Sequence, residues 1–573
     1  MTMDTTPRTS ATPIPLERLS LGKHADLDID AEIARFEAEE RAKLGLDSET
    51  LQYVEPIFDD PTTANKAHTT ILLSGLTMAQ DYFVGGALSG LGYHVVNLDC
   101  PDHESLRYGK EFGNRGQCNP TYFTVGNLVK VLCHMRDVKG MSTEEIVDRY
   151  VFLTAGSCGP CRFGMYVTEY RKALCDAGFE GFRVLLFQMN GGIKQASGEE
   201  TEGLTFDPTF FWALAKALLT GDALNVLAYR IRPYEVEEGA TDRAMEQAKT
   251  LVYDALHDRT NFMRALWRAR KVMRSVAVDK TRVKPKVGIT GEFWAMTTEG
   301  DGNYQMQSFL QGEGAEVDTP IVTAWVLFMV WEVMRDTKYR MTLPIDDEGR
   351  KGLSGVNVRK RLLSVWAADK ALRLIFGTIA KTLGLKGYKL PKVDEVAEVA
   401  KDFYNHDLRG GESYLEVGKV IMNVVKQKVN MTLSIKPFGC MPSSGVSDGV
   451  QSAITELYPD AIFLPVETTG DGAVNVYSRV QRMLFKARQA AAREVQEVLD
   501  GYGMTMDDAQ RVVRWVPGMG GALYHPSHRH GSTAADMVER AGAIRHPLIA
   551  IKRRGEHRRG HRVYKQARHV ASA

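Results

Sequence analysis

The sequence lacks the features that would place it in several broad classes of protein. Its 573 residues carry a formal net charge of only +1, so the whole molecule has no field that favours nucleic acid or a membrane surface. Its most apolar stretch, 319–334, is short for a membrane span and contains Glu332, which favours a buried helix. The first twenty residues contain no long apolar run, so we expect no secretory signal and a soluble, cytoplasmic protein.

Cysteine is scarce, and its number is odd. The chain has seven cysteines: Cys100, Cys118, Cys133, Cys158, Cys161, Cys175 and Cys440. A sparse, odd set in a chain of this length argues against a disulfide framework. Clustered cysteines in a cytosolic protein more often bind a metal or take part in catalysis. The pair Cys158 and Cys161 is therefore the first candidate for a functional site.

What the sequence does contain is a repeated pattern of buried strands and helices. The run "TTILLSGL" (69–76) is continuously apolar, as a buried parallel strand requires, and a helix pattern and the strand in "GLGYHVVNLDCP" (90–101) follow it. The same order recurs from "PKVGITGE" (285–292) and in 149–190 and 430–467. This alternation predicts an α/β protein with tandem flavodoxin-like or Rossmann-like doubly wound parallel-sheet domains and additional helices.

The pattern also predicts how the chain is divided. Residues 65–205 form a first α/β domain, and 285–345 together with 428–490 form a second one. The other segments are a disordered start and helical arm (1–64), a helical connection (206–284), a helical insertion (346–427), and a C-terminal helix with a basic tail (491–573). Residues 545–573 hold nine Lys or Arg against one Glu; we interpret them mainly as a solvated, disordered end, and expect no nucleic-acid binding except through that tail.

Three groups of cysteines are predicted to lie in loops that lead into helices. Cys158 and Cys161 follow the strand "YVFLTA", Cys440 follows the strand "TLSIKPFG", and Cys118 lies in a loop rich in Gly, Asn and Pro. Backbone N–H groups at a helix start favour an anion, which stabilises a thiolate or a thiolate-bound cluster. Cys133 and Cys175 instead lie inside amphipathic helix patterns, which is typical of small core residues.

The Cys-x-x-Cys pair of residues 158–161 is open to more than one interpretation. "CGPC" between a strand and a helix is the thioredoxin tetrapeptide, but Ser157 stands where that family has Trp, and the next strand brings no facing proline. A zinc site would need a second Cys-x-x-Cys or a nearby pair of histidines. Two buried thiols without a function, a redox pair and an iron–sulfur site therefore remain the alternatives.

Four motifs together resemble the 2-hydroxyacyl-CoA dehydratase and benzoyl-CoA reductase superfamily, in its activase-related branch of dehydratase-subunit-like proteins. They are "GQCNPTYFTVGNLV" (116–129), "GSCGPCRFGMY" (156–166), "KVGITGEF" (286–293) and "IKPFGCMPSS" (435–444), and the resemblance covers roughly residues 65–490. It implies tandem flavodoxin-like domains with an iron–sulfur cluster, a [4Fe–4S] cluster by expectation, between them. It also implies Cys118, Cys161 and Cys440 as ligands of that cluster, with Cys158 as the fourth.

The resemblance further implies a partner. In the family, a separate activator ATPase of the sugar-kinase/actin/Hsp70 class couples ATP hydrolysis to the transfer of a low-potential electron. This chain contains no glycine-rich nucleotide loop of that class, so we expect the ATPase on another polypeptide. A homologous subunit or a second copy of this chain is a further expected partner, and no membrane is expected.

The function therefore stays open between an ATP-dependent iron–sulfur reductase or dehydratase component, a non-catalytic cluster carrier or scaffold, and a thiol–disulfide protein. Polar residues beside the cysteine motifs are candidates for supporting the site. They are Arg162, Gln188, Asn190, Glu292, Lys436 and Ser443. A cationic side chain such as that of Arg162 would offset the charge of a reduced cluster.

Overall fold

The structure is a computed structural model, which describes residues 35–36, 38–39, 42–43, 66, 68–156, 161–188, 207–343, 353, 356–405, 413–425 and 428–553. Residues 1–56 and 57–573 form two compact units, and all the strands lie in the second. Alternating strands and helices make up the first half of that unit: β1 (Thr70–Leu73), α1 (Met78–Ser89), β2 (His94–Asn97), α2 (His103–Phe112), α3 (Asn119–Asp137), α4 (Thr143–Arg149), β3 (Tyr150–Gly156), α5 (Tyr166–Asp176) and β4 (Arg183–Gln188).

Three helices connect this part to the second sheet: α6 (Pro208–Ile231), α7 (Ala240–His257) and α8 (Phe262–Arg274). The second sheet and its helices follow: β5 (Lys286–Gly291), α9 (Phe293–Thr297), α10 (Met306–Gly312), β6 (Glu316–Asp318), α11 (Val322–Thr342), α12 (Val358–Leu383), α13 (Val393–Ala400), α14 (Ser413–Val425), β7 (Met431–Pro437), α15 (Met441–Gly445), α16 (Gln451–Leu457) and β8 (Phe463–Thr468). The chain ends in α17 (Ala473–Tyr502), α18 (Met506–Trp515) and α19 (Thr533–Arg545).

The two sheets have the same topology. Their strand orders are β2-β1-β3-β4 and β6-β5-β7-β8, and all neighbouring strands run parallel. In each sheet the strand order reverses after the second strand, because the third strand is placed on the other side of the first. This switch point lies between β1 and β3 in the first sheet and between β5 and β7 in the second. Ligands of such sheets bind outside the carboxyl ends of the strands at this point. The predicted α/β fold with two parallel sheets is confirmed.

Burial explains which strands occupy the centre of each sheet. Every residue of β5 and β7 is buried, because helices cover both faces of a central parallel strand. The edge strand β8 alternates between buried and exposed residues instead, which leaves one of its faces near solvent. On the first sheet, one apolar core joins β1 to α1, α6, α7 and α8, and a second core on the opposite face joins it to α3 and α5. Helices on both faces define a doubly wound arrangement.

The long helices predicted around the sheets are present at 208–274 and 358–425. Among the described residues one helix, Pro208–Tyr234, is long and apolar enough to cross a membrane, but 61% of its most apolar window is buried, which is typical of a core helix. The C-terminal region differs from the single helix predicted there. The helices α17, α18 and α19 pack around a core of their own, which includes Tyr502, Met519 and Met537. The basic tail beyond residue 553 lies outside the described residues.

Candidate functional site

Three of the predicted cysteines stand directly before a helix. Cys118 precedes α3, Cys440 precedes α15, and Cys161 precedes the short 3₁₀ helix Arg162–Met165 that leads into α5. Each has extended backbone angles, and none of the three side chains caps its helix through a hydrogen bond. The first N–H groups of a helix lack partners within it and carry the positive end of its dipole. By helix geometry alone these positions favour negative charge, but burial and two nearby carboxylates oppose it at Cys440.

Hydrogen bonds hold these cysteine loops against one another. The amide N–H of Asn119 donates to the carbonyl oxygen of Phe438 (3.0 Å), and Nη1 of Arg162 donates to the carbonyl oxygen of Gly439 (2.9 Å). These bonds connect the residues that follow Cys118 and Cys161 to the residues that precede Cys440. The structure thus brings together three loops that lie up to about 320 residues apart in the sequence (118 to 440).

Gly439 makes this close approach of the loops possible. Its φ is +73°, in the left-handed region that favours glycine. A Cβ atom at this position would lie 3.2 Å from the carbonyl oxygen of Gln117, 3.3 Å from Nη1 of Arg162 and 3.3 Å from the Cα of Cys118. The backbones of the Cys118 and Cys440 loops are therefore in direct contact.

The sulfur of Cys118 is buried between two hydroxyl groups. Its Sγ lies 3.1 Å from Oγ1 of Thr121 and 3.2 Å from the phenol oxygen of Tyr166. Burial is the largest of the causes that raise the pKa of Tyr166 well above its usual value, and the nearby Cys118 and Glu292 add to it. The phenol therefore stays protonated. A protonated phenol is able to donate a hydrogen bond to a thiolate at this position.

The sulfur of Cys440 is buried as well and belongs to a chain of polar groups. It lies 3.4 Å from Oγ of Ser443, and that hydroxyl donates to Oε1 of Glu416 on α14 (2.6 Å). Burial, together with the negative charges of Glu292 and Glu416, raises the pKa of the Cys440 thiol well above its usual value, although hydrogen bonds from Ser443 oppose the shift. Without a cation at the site, this thiol stays neutral.

The residues present suit an iron–sulfur cluster in their chemistry. Thiolates at helix starts are the ligands that such clusters use, and the side-chain amide nitrogen of Asn119, next to Cys118, is buried without a hydrogen-bond partner among the described residues. Across the part of the chain that the structure describes, no group of three or more His, Cys, Asp or Glu side chains is arranged to hold a metal ion. Cys118 and Cys440 each contact a hydroxyl of their own helix, and Cys158 lies outside the described residues.

The other predicted supporting residues have various positions. Glu292 caps α9, where its carboxylate accepts from the amide N–H groups of Trp294 (3.1 Å) and Ala295 (2.9 Å). Lys436 is buried on β7, with Nζ 3.6 Å from Oε1 of Glu467. Gln188 ends β4, but its side chain is not described, and Asn190 lies outside the described residues.

The remaining cysteines lie in other surroundings. Cys133 is buried in α3, as predicted, whereas Cys175 in α5 is partly exposed. Cys100 follows β2 and is partly exposed, and burial, followed by the charge of Glu299, raises its pKa to about 12. A thiol with such a pKa is a poor nucleophile at neutral pH.

Three residues of the site were not predicted from the sequence: Thr121, Tyr166 and Glu416. A repeated four-residue motif would have indicated Thr121. Cys118 and Cys440 are each followed by proline at the second position and a hydroxyl residue at the third, in "CNPT" and "CMPS". In both motifs the structure places that hydroxyl against the sulfur. Tyr166 and Glu416 carry no comparable signal, because only the fold brings them near the cysteines.

Glu416 also lines an adjacent cavity. The cavity is small, about 30 Å³, which is room for one or two water molecules, and lies between the carboxyl end of β5 and the helices α11, α13 and α14. Its walls are mostly apolar, with the stacked rings of Phe293 and Trp325 (centroids 4.6 Å apart) on one side. The buried hydroxyl of Thr290 faces the same space and has no hydrogen-bond partner among the described residues.

Comparison with known proteins adds no assignment. No model of a protein family matches the chain, and no curated protein matches it.

Proposed function

We propose that the protein is an iron–sulfur protein whose cluster is held by Cys118, Cys440 and the Cys158/Cys161 pair. The proposal extends to tandem flavodoxin-like domains in a cytoplasmic protein that takes low-potential electrons from a separate ATP-driven activator ATPase. When bound, a [4Fe–4S] cluster supplies one-electron transfer. The observation that carries the proposal is the pair of hydrogen bonds from Asn119 and Arg162 to the Phe438–Gly439 backbone, since they join all three cysteine loops.

The residues around the cysteines support this role through charge. Arg162 adds a guanidinium that is fixed beside the cysteine loops by its bond to the Gly439 carbonyl oxygen. Tyr166 and Thr121 each place a hydroxyl within 3.1–3.2 Å of the Cys118 sulfur, where it is able to donate a hydrogen bond. Donors to ligand sulfurs stabilise the anionic state and raise the reduction potential of such sites.

We propose an enzyme, a reductase or dehydratase component, as the main function and a cluster carrier as the alternative, on the motif resemblance described above. Glu416 connects the cysteine site to the small neighbouring cavity, because its carboxylate accepts from Ser443, which contacts Cys440, and it also lines the cavity.

Anaerobic purification and reconstitution with iron and sulfide test the proposal. The wild-type protein should bind iron and acid-labile sulfide in equal amounts and absorb visible light, and Cys118→Ser or Cys440→Ser should lose most of both. The matched control is Cys133→Ser, which changes a buried cysteine away from the three loops and should keep the iron at a cost of about 1–3 kcal/mol in stability. A wild-type protein that takes up no iron would show that the assignment is wrong.

A further inference from the structure

One helix of the insertion between β6 and β7 is strongly basic. α12 holds six basic residues and one acidic residue, so its formal charge is +5 in a chain whose total is +1. These residues are Arg359, Lys360, Arg361, Lys370, Arg373 and Lys381 against Asp369. The net charge of the whole chain therefore does not describe the surface of this helix.

Most of α12 has no buried side chain. Its four buried residues, Phe376, Ile379, Ala380 and Leu383, all lie in the last third of the helix, where they join the apolar core that includes α6 and α8. Between residues 358 and 375 every side chain is at least partly exposed. Helices in proteins gain most of their stability by packing one face, so this part of α12 presents a face that the described residues do not cover.

The exposed face of α12 combines large apolar side chains with cations. Leu363, Trp366 and Leu374 expose 64%, 52% and 71% of their surfaces. Helical periodicity places them with four exposed cations in one stripe, which covers about a third of the circumference of the helix and runs for about 33 Å. The members of this exposed stripe are Arg359, Lys360, Leu363, Trp366, Lys370, Leu374 and Lys381.

The exposed stripe contains no carboxylate, and three of its four cations have no acidic partner. Within the described part of the chain, no ion pair joins Arg359, Lys360 or Lys381 to an acid. Lys370 is the exception, because its Nζ lies 3.1 Å from Oδ2 of Asp369. The stripe therefore keeps a positive charge beside its apolar side chains.

This combination distinguishes between possible partners. A second copy of the chain would place the same cations opposite one another, with no carboxylate on either stripe to pair with them. A nucleic acid would satisfy the cations, but its phosphate backbone would leave Leu363 and Leu374 in water. A membrane with anionic lipids supplies headgroups for the cations and an acyl boundary for the leucines, and tryptophan favours the level of the headgroups.

The attachment of α12 also suits a flat partner better than a groove. A groove in another protein would enclose the helix on several sides, whereas Phe376 and Leu383 fix its last third on the core of this protein. Lys381 and Leu374 lie on the side away from that core, so the stripe is open to contact along one side only.

We propose that the exposed stripe of α12 binds the surface of a membrane that contains anionic lipids. The helix lies in the plane of the membrane and does not cross it: the cations contact headgroups, and Leu363, Trp366 and Leu374 enter the acyl boundary. This differs from the expectation that no membrane is involved, which rested on the charge of the whole chain. The proposal uses none of the cysteine loops, so it stands or falls separately from the iron–sulfur function.

Co-sedimentation of the full-length protein with lipid vesicles tests the proposal. Wild type should bind vesicles of phosphatidylcholine with about 30% phosphatidylserine, and bind pure phosphatidylcholine at least about tenfold more weakly. About 1 M NaCl should release most of it, because screening then extends only about 3 Å. Leu374→Ser should weaken binding about tenfold. Lys381→Glu should weaken it about 25-fold, which is about fivefold for each unit of charge.

Val138 and Lys139 provide matched controls. They directly follow α3, on the opposite face of the first sheet from α12, and Val138 exposes 71% of its surface, as Leu374 does. Val138→Ser and Lys139→Glu should therefore bind vesicles as wild type does. All of these side chains are exposed, so thermal melting should match wild type; Trp366→Ser replaces any stripe variant that melts early.

Three results would overturn the proposal. The first is no binding of wild type to the anionic vesicles at up to about 1 mM lipid. The second is equal vesicle binding by Leu374→Ser and Val138→Ser. The third is a different occupant without vesicle binding: an oligonucleotide whose binding Lys381→Glu weakens and Leu374→Ser does not, or a dimer in sedimentation velocity that Leu374→Ser dissociates.

Discussion

Replacing Gly439 by alanine should separate the two cysteine loops that meet there. The substitution adds one methyl group at a position with φ of +73°, between the carbonyl oxygen of Gln117 (3.2 Å) and the Cα of Cys118 (3.3 Å). Both of these neighbours are backbone atoms, so they cannot rotate away as a side chain would. The loops must move apart, or the backbone of residue 439 must change.

The expected cost follows from three contributions. A non-glycine residue in the left-handed region loses about 1–2 kcal/mol, and overpacking against fixed backbone adds about 1–3 kcal/mol. Alanine also restricts the unfolded chain, which offsets about 0.4–1 kcal/mol. The free energy of unfolding should therefore fall by about 1–5 kcal/mol, and part of that loss should appear as weaker protection of Cys118, which is buried beside this contact.

Urea unfolding and the rate of reaction with a thiol reagent measure the two effects. Gly445→Ala is the matched control: its φ is −61°, it ends α15, and no atom lies within 4 Å of the added Cβ. That variant should be neutral or more stable by up to about 1 kcal/mol. If Gly439→Ala unfolds at the same urea concentration as wild type and its thiols react no faster, the close contact of the loops does not exist.

Three further substitutions test the surroundings. Burial raises the pKa of Asp81 to about 7, so the folded protein keeps a proton that the unfolded chain loses above about pH 4. The free energy of unfolding of wild type should therefore fall as the pH rises from about 4 to 7. The advantage of Asp81→Asn over wild type in the free energy of unfolding should grow by up to about 1.4 kcal/mol for each pH unit between pH 5 and pH 7. Urea unfolding at pH 5 and at pH 7 measures it, and the same advantage at both pH values would contradict this. Ser443→Ala removes the 2.6 Å donor to Glu416 and should cost about 1–3 kcal/mol by the same measurement, whereas no loss would mean that the carboxylate is solvated. Glu292→Ala removes the cap of a short helix, with an expected cost of about 0.5–2 kcal/mol in thermal or urea unfolding, and an unchanged midpoint would argue against the cap.

Much of the fold could be predicted from the sequence because strand and helix patterns alternate along it. The central strands β1, β3, β5 and β7 are rich in apolar residues, although β5 and β7 also bury Lys, Thr and Ser side chains, and each is followed by a helix pattern. The cysteine loops could be placed for the same reason, since a residue just after a parallel strand lies at the carboxyl edge of the sheet. The C-terminal cluster of α17, α18 and α19 was not predicted, because its core forms between helices whose hydrophobic patterns resemble that of any amphipathic surface helix.

The contacts within the site depend on information that local patterns do not carry. Tyr166 reaches Cys118 from the start of α5, and Glu416 reaches Ser443 from α14, a helix of the insertion between β6 and β7. Nothing in the residues around either one indicates which loop it will face. Gly439 is similar: a glycine before a cysteine suggests a turn, but only the packed structure shows that the Cys118 backbone excludes a side chain there.

Sequence spacing and position in the structure rank the two members of the Cys-x-x-Cys pair differently. β3 and β7 occupy the same place in their sheets, and the motifs "CGPC" and "CMPS" that follow them share a cysteine and a proline at the same spacing. "CNPT" at Cys118 has the same pattern, so spacing alone matches Cys158 to Cys118 and Cys440. In the structure, however, Cys161 stands directly before a helix as Cys118 and Cys440 do, and the Arg162 that follows it binds the Gly439 carbonyl oxygen.

Because Cys161 shares this position, we expect Cys161→Ser to lose most of the iron that reconstituted wild type binds. Cys158→Ser should keep a larger share. Cys175→Ser, partly exposed on α5, is the control for an unspecific loss of a thiol. Iron analysis of the three variants side by side decides the ranking. Greater loss in Cys158→Ser would mean that the shared Cys-x-Pro spacing marks the ligand in this loop, and that the position directly before the helix does not.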